Sequence, residues 1–309
     1  MDFQHTSVLL SESVDFLVTD RNGVYVDCTM GGAGHSRAIA ARLGSSGTLV
    51  GIDQDSDAVS VGRERLLGRF PCRVEVVRSN FSRFFDVLDG LGIGCVDGIF
   101  FDLGVSSYQL DNAERGFSYM HEGPLDMRMD RSGGLSAAEV VNTYSRERLA
   151  EIFWQYGEER WAKRIAEFIV AARRNHPLTL TSELVTVIKR AVPRGAREDG
   201  PHPAKRTFQA LRIEVNNELG ILDTTVRGAV DRLRSGGRIG VITFHSLEDR
   251  IVKRVFMELQ KGCTCPPHLP CVCGKRPVLG KTGSVKPTPE EIGVNPRARS
   301  ARLRFGVKI

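Results

Sequence analysis

Short apolar runs alternate with helical periods through the first third of the chain. Gly23–Met30 (GVYVDCTM) predicts a strand, Gly31–Ser36 (GGAGHS) a turn, and Ser36–Leu43 the start of a helix. Thr48–Asp53 (TLVGID) predicts a second strand, Ser56–Leu67 a helix, Arg73–Val77 a third strand and Asp97–Leu103 (DGIFFDL) a fourth. Apolar runs of this length, joined by helices, predict parallel strands with helical crossovers.

The rhythm then changes. Gly104–Gly134 is rich in Gly, Ser, Asp and Met and has no clear period. Helical periods fill most of Ser136–Val192, as in Ser145–Tyr156, Glu158–Arg173 and Thr181–Ala191. Ser136–Glu139 and Thr181–Leu184 (TSEL) carry the hydroxyl or acid that starts a helix. Pro193–Pro203 predicts a loop. Thr207–Leu233 is helical in period, and Gly236-Gly237 breaks it. Arg238–Phe244 (RIGVITF) predicts another buried strand and Leu247–Leu259 another helix. Lys261–Arg299 reads as loop, and Ala301–Ile309 as a closing edge strand. The expected architecture is an α/β domain of residues 1–107 and 206–309, interrupted by a helical domain at 108–205. No internal repeat is visible.

Length and composition fit that picture. The 309 residues suit one large domain or two linked ones, and 41% hydrophobic residues supply a core. Charge adds something new. Residues 250–309 hold 13 Lys and Arg against 3 Asp and Glu, whereas the whole chain carries only +6. A basic end on a slightly acidic body suggests a polyanionic partner, with a solubilising tail as the plainer reading. No apolar run approaches the ~20 residues of a membrane span. The start, MDFQHTSVLL, lacks the basic-then-apolar plan of a signal peptide, so a cytoplasmic protein is expected. Cys28, Cys72 and Cys95 lie in or beside apolar runs and read as small buried hydrophobes.

The candidate chemistry begins at Asp27, which precedes Gly31, Gly32, Ala33, Gly34 and His35 between a strand and a helix. Glycines let backbone approach a ligand closely, and a helix start offers N–H groups. Asp53, at the end of the second strand, can accept both hydroxyls of a ribose, with Asp55 a competitor for the role. The glycines run G-G-x-G after an acid, not G-x-G-x-x-G. An acid so placed would repel a pyrophosphate and attract an ammonium, which favours S-adenosylmethionine over a nicotinamide cofactor. Phe81, after the third strand, can pack on an adenine or simply in the core.

Asp102 closes the fourth strand, at the edge where parallel sheets bind ligands. The exocyclic amine of a base is a poor nucleophile, and a carboxylate accepting its N–H would orient it and stabilise developing charge. A helix cap is the plainer reading. Gln109 lies just beyond and can hold cofactor or base. His245 follows the fifth strand as a proton acceptor, a phosphate contact or a histidine capping the next helix. For His35 the backbone N–H is a better candidate than the ring.

At this point the chain resembles the ribosomal RNA small-subunit methyltransferase H family, also called MraW. The matching segments are His5–Leu10, Gly31–Ser36, Asp102–Ser107, Glu114–Ser118, Gly123–Asp130, Tyr156–Arg160, Arg206–Ala210, Phe244–Val252 and Asn295–Ser300, almost end to end. The resemblance implies a Rossmann-like class I methyltransferase sheet with an inserted helical substrate-recognition domain. It implies N4-methylation of a cytidine in the decoding region of 16S (small-subunit) ribosomal RNA within the 30S subunit. It carries cofactor contacts to Ala33, Gly34, His35, Asp53, Phe81, Asp102 and Gln109. Lys205, Arg206, Arg297 and Arg299 then become phosphate contacts, and Tyr108, Phe117 and Trp154 candidates for stacking on a flipped base. No membrane partner is expected, and a homodimer stays open. An RNA-binding assembly factor with the same fold and no essential catalysis is the alternative.

Cys263, Cys265, Cys271 and Cys273 fall in a Pro- and Gly-rich stretch. Four thiolates in eleven residues can hold a structural zinc ion, although C-x-C departs from the usual C-x₂-C. Free thiols are the alternative, and disulfides are not expected in a reducing compartment. No catalytic metal is expected, because methyl transfer from a sulfonium needs none.

Overall fold

In a computed structural model, the structure describes residues 7–198, 202–263, 265, 266, 268 and 270–309. His5 and Thr6 of the first resembling segment, and residues 199–201 of the expected loop at 193–203, lie outside them. The chain divides into two compact units, Met1–Gly104 with Leu219–Ile309, and Val105–Glu218.

The first unit is built on a seven-stranded sheet. Its strands are β1 (Val24–Asp27), β2 (Thr48–Asp53), β3 (Arg73–Arg78), β4 (Val96–Asp102), β5 (Leu233–Thr243), β6 (Leu279–Val285) and β7 (Arg302–Lys308). Their order is β3-β2-β1-β4-β5-β7-β6. The first five are parallel, as the alternation of strands and helices predicts. The sheet as a whole is mixed, because β7 runs antiparallel to β5 and β6 antiparallel to β7.

The central strands read as continuous apolar runs because both faces are covered. Alternate residues point to opposite layers. Val26, Ile52, Ile99, Phe101 and Val241 enter one core, and Tyr25, Leu49, Phe100 and Ile242 the other. Each of β1, β2 and β4 ends in an aspartate where its apolar run stops. The strand order reverses between β1 and β4, and that point of an open α/β sheet is where ligands bind.

Several expectations change here. Ala301–Ile309 does not form the sheet edge, since β7 lies between β5 and β6. β6 and the helix Pro289–Val294 both fall in the stretch expected to be loop. Gly236 and Gly237 do not end an element. They lie within β5, where its register against β4 slips between Val96 and Gly98, and Gly236 takes a φ of 80° there. Cys28 and Cys72 are buried as expected, but Cys95 is exposed, because it sits in the turn before β4 rather than in the strand.

The second unit is helical, with Ala137–Thr143, Arg146–Gly157, Ala162–Arg173, Thr181–Ala191 and Lys205–Asn216 around a core that includes Leu149, Phe153, Ile165, Leu184, Ile188 and Leu211. Ser136 and Glu139 form the reciprocal cap their spacing predicts. This unit is longer than the insertion expected at 108–205, because the helix Lys205–Asn216 packs within it. A Cβ on Gly157 would lie 2.6 Å from the Arg206 carbonyl oxygen, and Gln209 donates to the Tyr156 carbonyl at 2.9 Å. Thr207–Leu233 is accordingly two helices, separated after Asn216 where Asn217 turns left-handed at φ 49°. The segment without a period is held by side chains instead: Arg115 donates to the Arg128 and Met129 carbonyls, and Asn216 bonds the Met127 carbonyl and the Met129 N–H. Phe117 belongs to this unit's core, not to a stacking surface, whereas Trp154 is exposed. Lys205 and Arg206 are exposed here, as are Arg297 and Arg299 in the first unit.

Candidate active site

The turn after β1 is pinned from inside. Asp27 is buried, and its two oxygens accept from the Ser36 hydroxyl at 2.6 Å and the Thr29 N–H at 3.2 Å. It therefore ties the end of β1 to the first turn of the helix Gly34–Ala40. Burial raises its carboxyl to a pKa of about 6, against the lowering effect of those two bonds. Gly31 is left-handed at φ 49° and Ala33 at φ 64°, so the chain reverses here into the helix. Gly34 has no room for a side chain, since a Cβ would come within 1.9 Å of the Ser7 hydroxyl oxygen.

Asp53 closes the turn from the neighbouring strand. It accepts from the Gly31 N–H at 2.8 Å and the Asp55 N–H at 2.9 Å. Each carboxylate oxygen has further acceptor capacity, as a ribose site requires. Burial foremost raises its pKa to about 6, with Asp55 and Asp27 adding repulsion against the two N–H bonds. Asp55, the competitor for the role, is buried and caps the helix Ser56–Leu66 through the Asp57 N–H. Phe81 follows β3 and rests edge-on against Phe101, ring centres 6.0 Å apart, with part of its surface open.

Asp102 ends β4 beside this turn. Its N–H donates to the Thr29 hydroxyl at 2.5 Å, and its Oδ2 lies 3.5 Å from His35 Nδ1. The side chain keeps 27% of its surface exposed, yet Oδ1 is sealed from solvent with no hydrogen-bond partner. Such an atom carries a desolvation cost that a ligand donor would remove. Burial, then repulsion from Asp27 and Glu248, hold its pKa well above the ordinary carboxyl range. The His35 ring is 5% exposed, donates from Nε2 to the Val8 carbonyl at 3.0 Å and leans on Phe100. A carbonyl only accepts, so Nε2 carries a proton, and the buried ring packs the turn.

His245 follows β5 at the start of the helix Ser246–Lys261. Its side chain does not cap that helix. Glu248, itself buried, accepts from the Phe244 and His245 N–H groups at 2.8 and 3.3 Å. The ring Nε2 lies 3.1 Å from Glu248 Oε1, and Nδ1 is buried with no hydrogen-bond partner. Gln109 belongs to the second unit, where its carbonyl oxygen accepts from the Ser106 N–H at 3.0 Å in a reciprocal cap. The four cysteines also converge: all their sulfurs lie within 4.8 Å of one another.

Nothing in the sequence singles out Ser7, Thr29 or Ser36, which meet the site only through the fold, as does Glu248. Only Glu248 had a readable signal, since an acid three residues past a helix start has capping-box spacing.

The site thus gathers Asp27, Asp53, Asp102 and Glu248 around a glycine turn; burial disfavours the charged forms of the three aspartates, and repulsion adds to it at Asp53 and Asp102. That donor set suits a cation, and S-adenosylmethionine brings both an ammonium and a sulfonium. Fold and site together define an S-adenosylmethionine-dependent methyltransferase. Comparison with known proteins narrows the class. The profile of the MraW methylase family matches residues 2–309. "Ribosomal RNA small subunit methyltransferase H" of Ruminiclostridium cellulolyticum is 55% identical over 100% of both chains. The proteins of that name from Clostridioides difficile and Symbiobacterium thermophilum are 53% and 52% identical, over 100% of this chain and 100% and 98% of theirs. Among solved structures, a putative rRNA methylase from Clostridium thermocellum is 12% identical over 99% of this chain and 100% of that chain, with a TM-score of 0.47. This chain belongs to the MraW methylase family. Among the described residues no helix is long and apolar enough to cross a membrane.

Proposed function

We propose that this chain transfers a methyl group from S-adenosylmethionine to the N4 amine of a cytidine in small-subunit ribosomal RNA. The observation that carries the reading is Asp102 Oδ1, sealed and unpartnered at the carboxyl end of β4. The relatives named above act, by name, on small-subunit ribosomal RNA. The exposed Lys205, Arg206, Arg297 and Arg299 suit a polyanion. The Val105–Glu218 unit recognises the RNA, and the reaction takes place in the cytoplasm on the 30S subunit.

When bound, S-adenosylmethionine supplies an electrophilic methyl group on a sulfonium. Asp53 would accept hydrogen bonds from its ribose hydroxyls, Phe81 would hold its adenine, and the backbone of Ala33, Gly34 and His35 would line its site. Positive charge in the crevice drives Asp102 to its carboxylate. The partly exposed carboxylate then accepts an N4–H bond from the cytidine, which aims the nitrogen lone pair and stabilises the charge developing on N4. It takes the proton that N4 sheds on gaining the methyl. His245, through its unpartnered Nδ1, is the second group able to take that proton.

The test is transfer of radiolabel from S-adenosylmethionine to 30S subunits that lack the modification, followed by digestion and identification of the labelled nucleoside. Label in N4-methylcytidine is expected. Label in another nucleoside overturns the target. No label, from protein that binds both cofactor and subunits, favours an assembly factor.

A further inference from the structure

The helix Ser246–Lys261 and β6 are joined by residues 262–278, whose described residues form neither helix nor strand. Among its described residues apolar anchorage is confined to Val278, which packs against the core: Val272 is 90% exposed, and Lys275, Arg276 and Pro277 are exposed. Burial cannot hold such a stretch compact.

Its four cysteine side chains nevertheless meet. Cys263 and Cys271 sulfurs are 3.4 Å apart, Cys271 and Cys273 3.7 Å, and Cys263 and Cys273 3.7 Å. Disulfide sulfurs stand ~2.05 Å apart, so none of these pairs is a disulfide. A zinc ion ~2.3 Å from each of four sulfurs sets those sulfurs ~3.8 Å apart, the edge of a tetrahedron. All four sulfurs fit within 4.8 Å of one another, as that polyhedron demands. The Cys265 N–H donates to Cys263 Sγ at 3.4 Å, a bond that favours the thiolate a metal needs. Cys271 is exposed and the other three half-buried, which leaves an ion a way in.

We propose that Cys263, Cys265, Cys271 and Cys273 bind one zinc ion as a structural tetrathiolate site between the helix Ser246–Lys261 and β6. Each thiol gives its proton to solvent as its sulfur bonds the ion, and the completed site carries a net charge of about −2. Four protein ligands leave no open position, so the ion stabilises and does not catalyse. Soft sulfur ligands select zinc over magnesium or calcium. The ion fixes the path of the chain into β6, and with it the basic Lys275 and Arg276 just past the last ligand.

The test uses the full chain, purified with reductant. Elemental analysis after gel filtration should give about one zinc per chain. The double variant Cys271→Ser, Cys273→Ser should fall below about a tenth of that while still binding S-adenosylmethionine. Unaltered protein stripped of zinc and loaded with cobalt should show the intense visible bands of tetrahedral cobalt with thiolate-to-metal charge transfer. Less than about a tenth of a zinc per chain after zinc is added and excess removed would overturn the proposal. So would stoichiometric iron in its place, octahedral cobalt spectra, or disulfides among these four residues in reduced protein.

Discussion

Binding of S-adenosylmethionine should weaken steeply as pH falls from about 7.5 to about 5. Asp27 and Asp53 both titrate at about 6 in the cofactor-free protein, because burial penalises their charged forms. A cationic ligand favours those forms. One pH unit below its pKa an acid must give up a proton at a cost of about 1.4 kcal/mol, or about 10-fold in affinity. Asp27 and Asp53 together give about 100-fold, and Asp102, raised well above the ordinary range, adds to the fall. Asp53→Asn removes one titrating group, so its affinity should start lower and fall about 10-fold less. Asp27 and Asp53 do not themselves promote unfolding at acid pH. A carboxyl whose pKa is raised from 3.8 to about 6 contributes stability that is fully present below about 3.8 and is lost as pH rises through about 6. The full contribution is about 3 kcal/mol per acid, of which about half is present at pH 5. Calorimetric titration of the cofactor into folded protein across the range makes the measurement. A dissociation constant that stays within about twofold would refute the argument that the cofactor binds the ionised form of these acids.

Asp102→Ala should lower methyl transfer by about 100-fold or more in a protein with unchanged circular dichroism, and near-normal turnover would remove Asp102 from the mechanism. Ser36→Ala leaves Asp27 without its 2.6 Å donor and should cost about 1–3 kcal/mol in urea unfolding, with the Asp27 carboxyl titrating higher still by NMR. Gly157→Ala sets a Cβ against the Arg206 carbonyl and should cost about 1–3 kcal/mol, read as earlier unfolding of the Val105–Glu218 unit in hydrogen exchange.

The strands that carry the acids were legible because burial on both faces leaves little but apolar residues in VYVD, TLVGID and VDGIFFD, with an aspartate where each run ends. β6 was not legible. Leu279–Val285 is a sheet edge with two glycines and one fully buried side chain, so nothing marks it until β7 supplies the hydrogen bonds. Residues 105–134 hid for a different reason. Their order comes from Arg115 and from Asn216, the latter more than 80 residues away, each bonding backbone groups. At the site, Asp53, Phe81 and Asp102 stood out by their places after strands. What no spacing could announce was that Asp27 faces inward to Ser36, or that Asp102 keeps one oxygen without a partner.

The place of β7 bears on how the molecule is made. β5 pairs on one side with β4, synthesised before the helical insertion, and on the other with β7, synthesised after β6. While the chain emerges, β5 therefore presents an open row of backbone donors and acceptors, the kind of edge that recruits stray strands. Vectorial folding can complete the glycine turn and its acids early, but it cannot seal the sheet until Arg302–Lys308 arrives and slides between two strands already present. A nascent chain stalled before Arg302 would be soluble only as long as something covers β5.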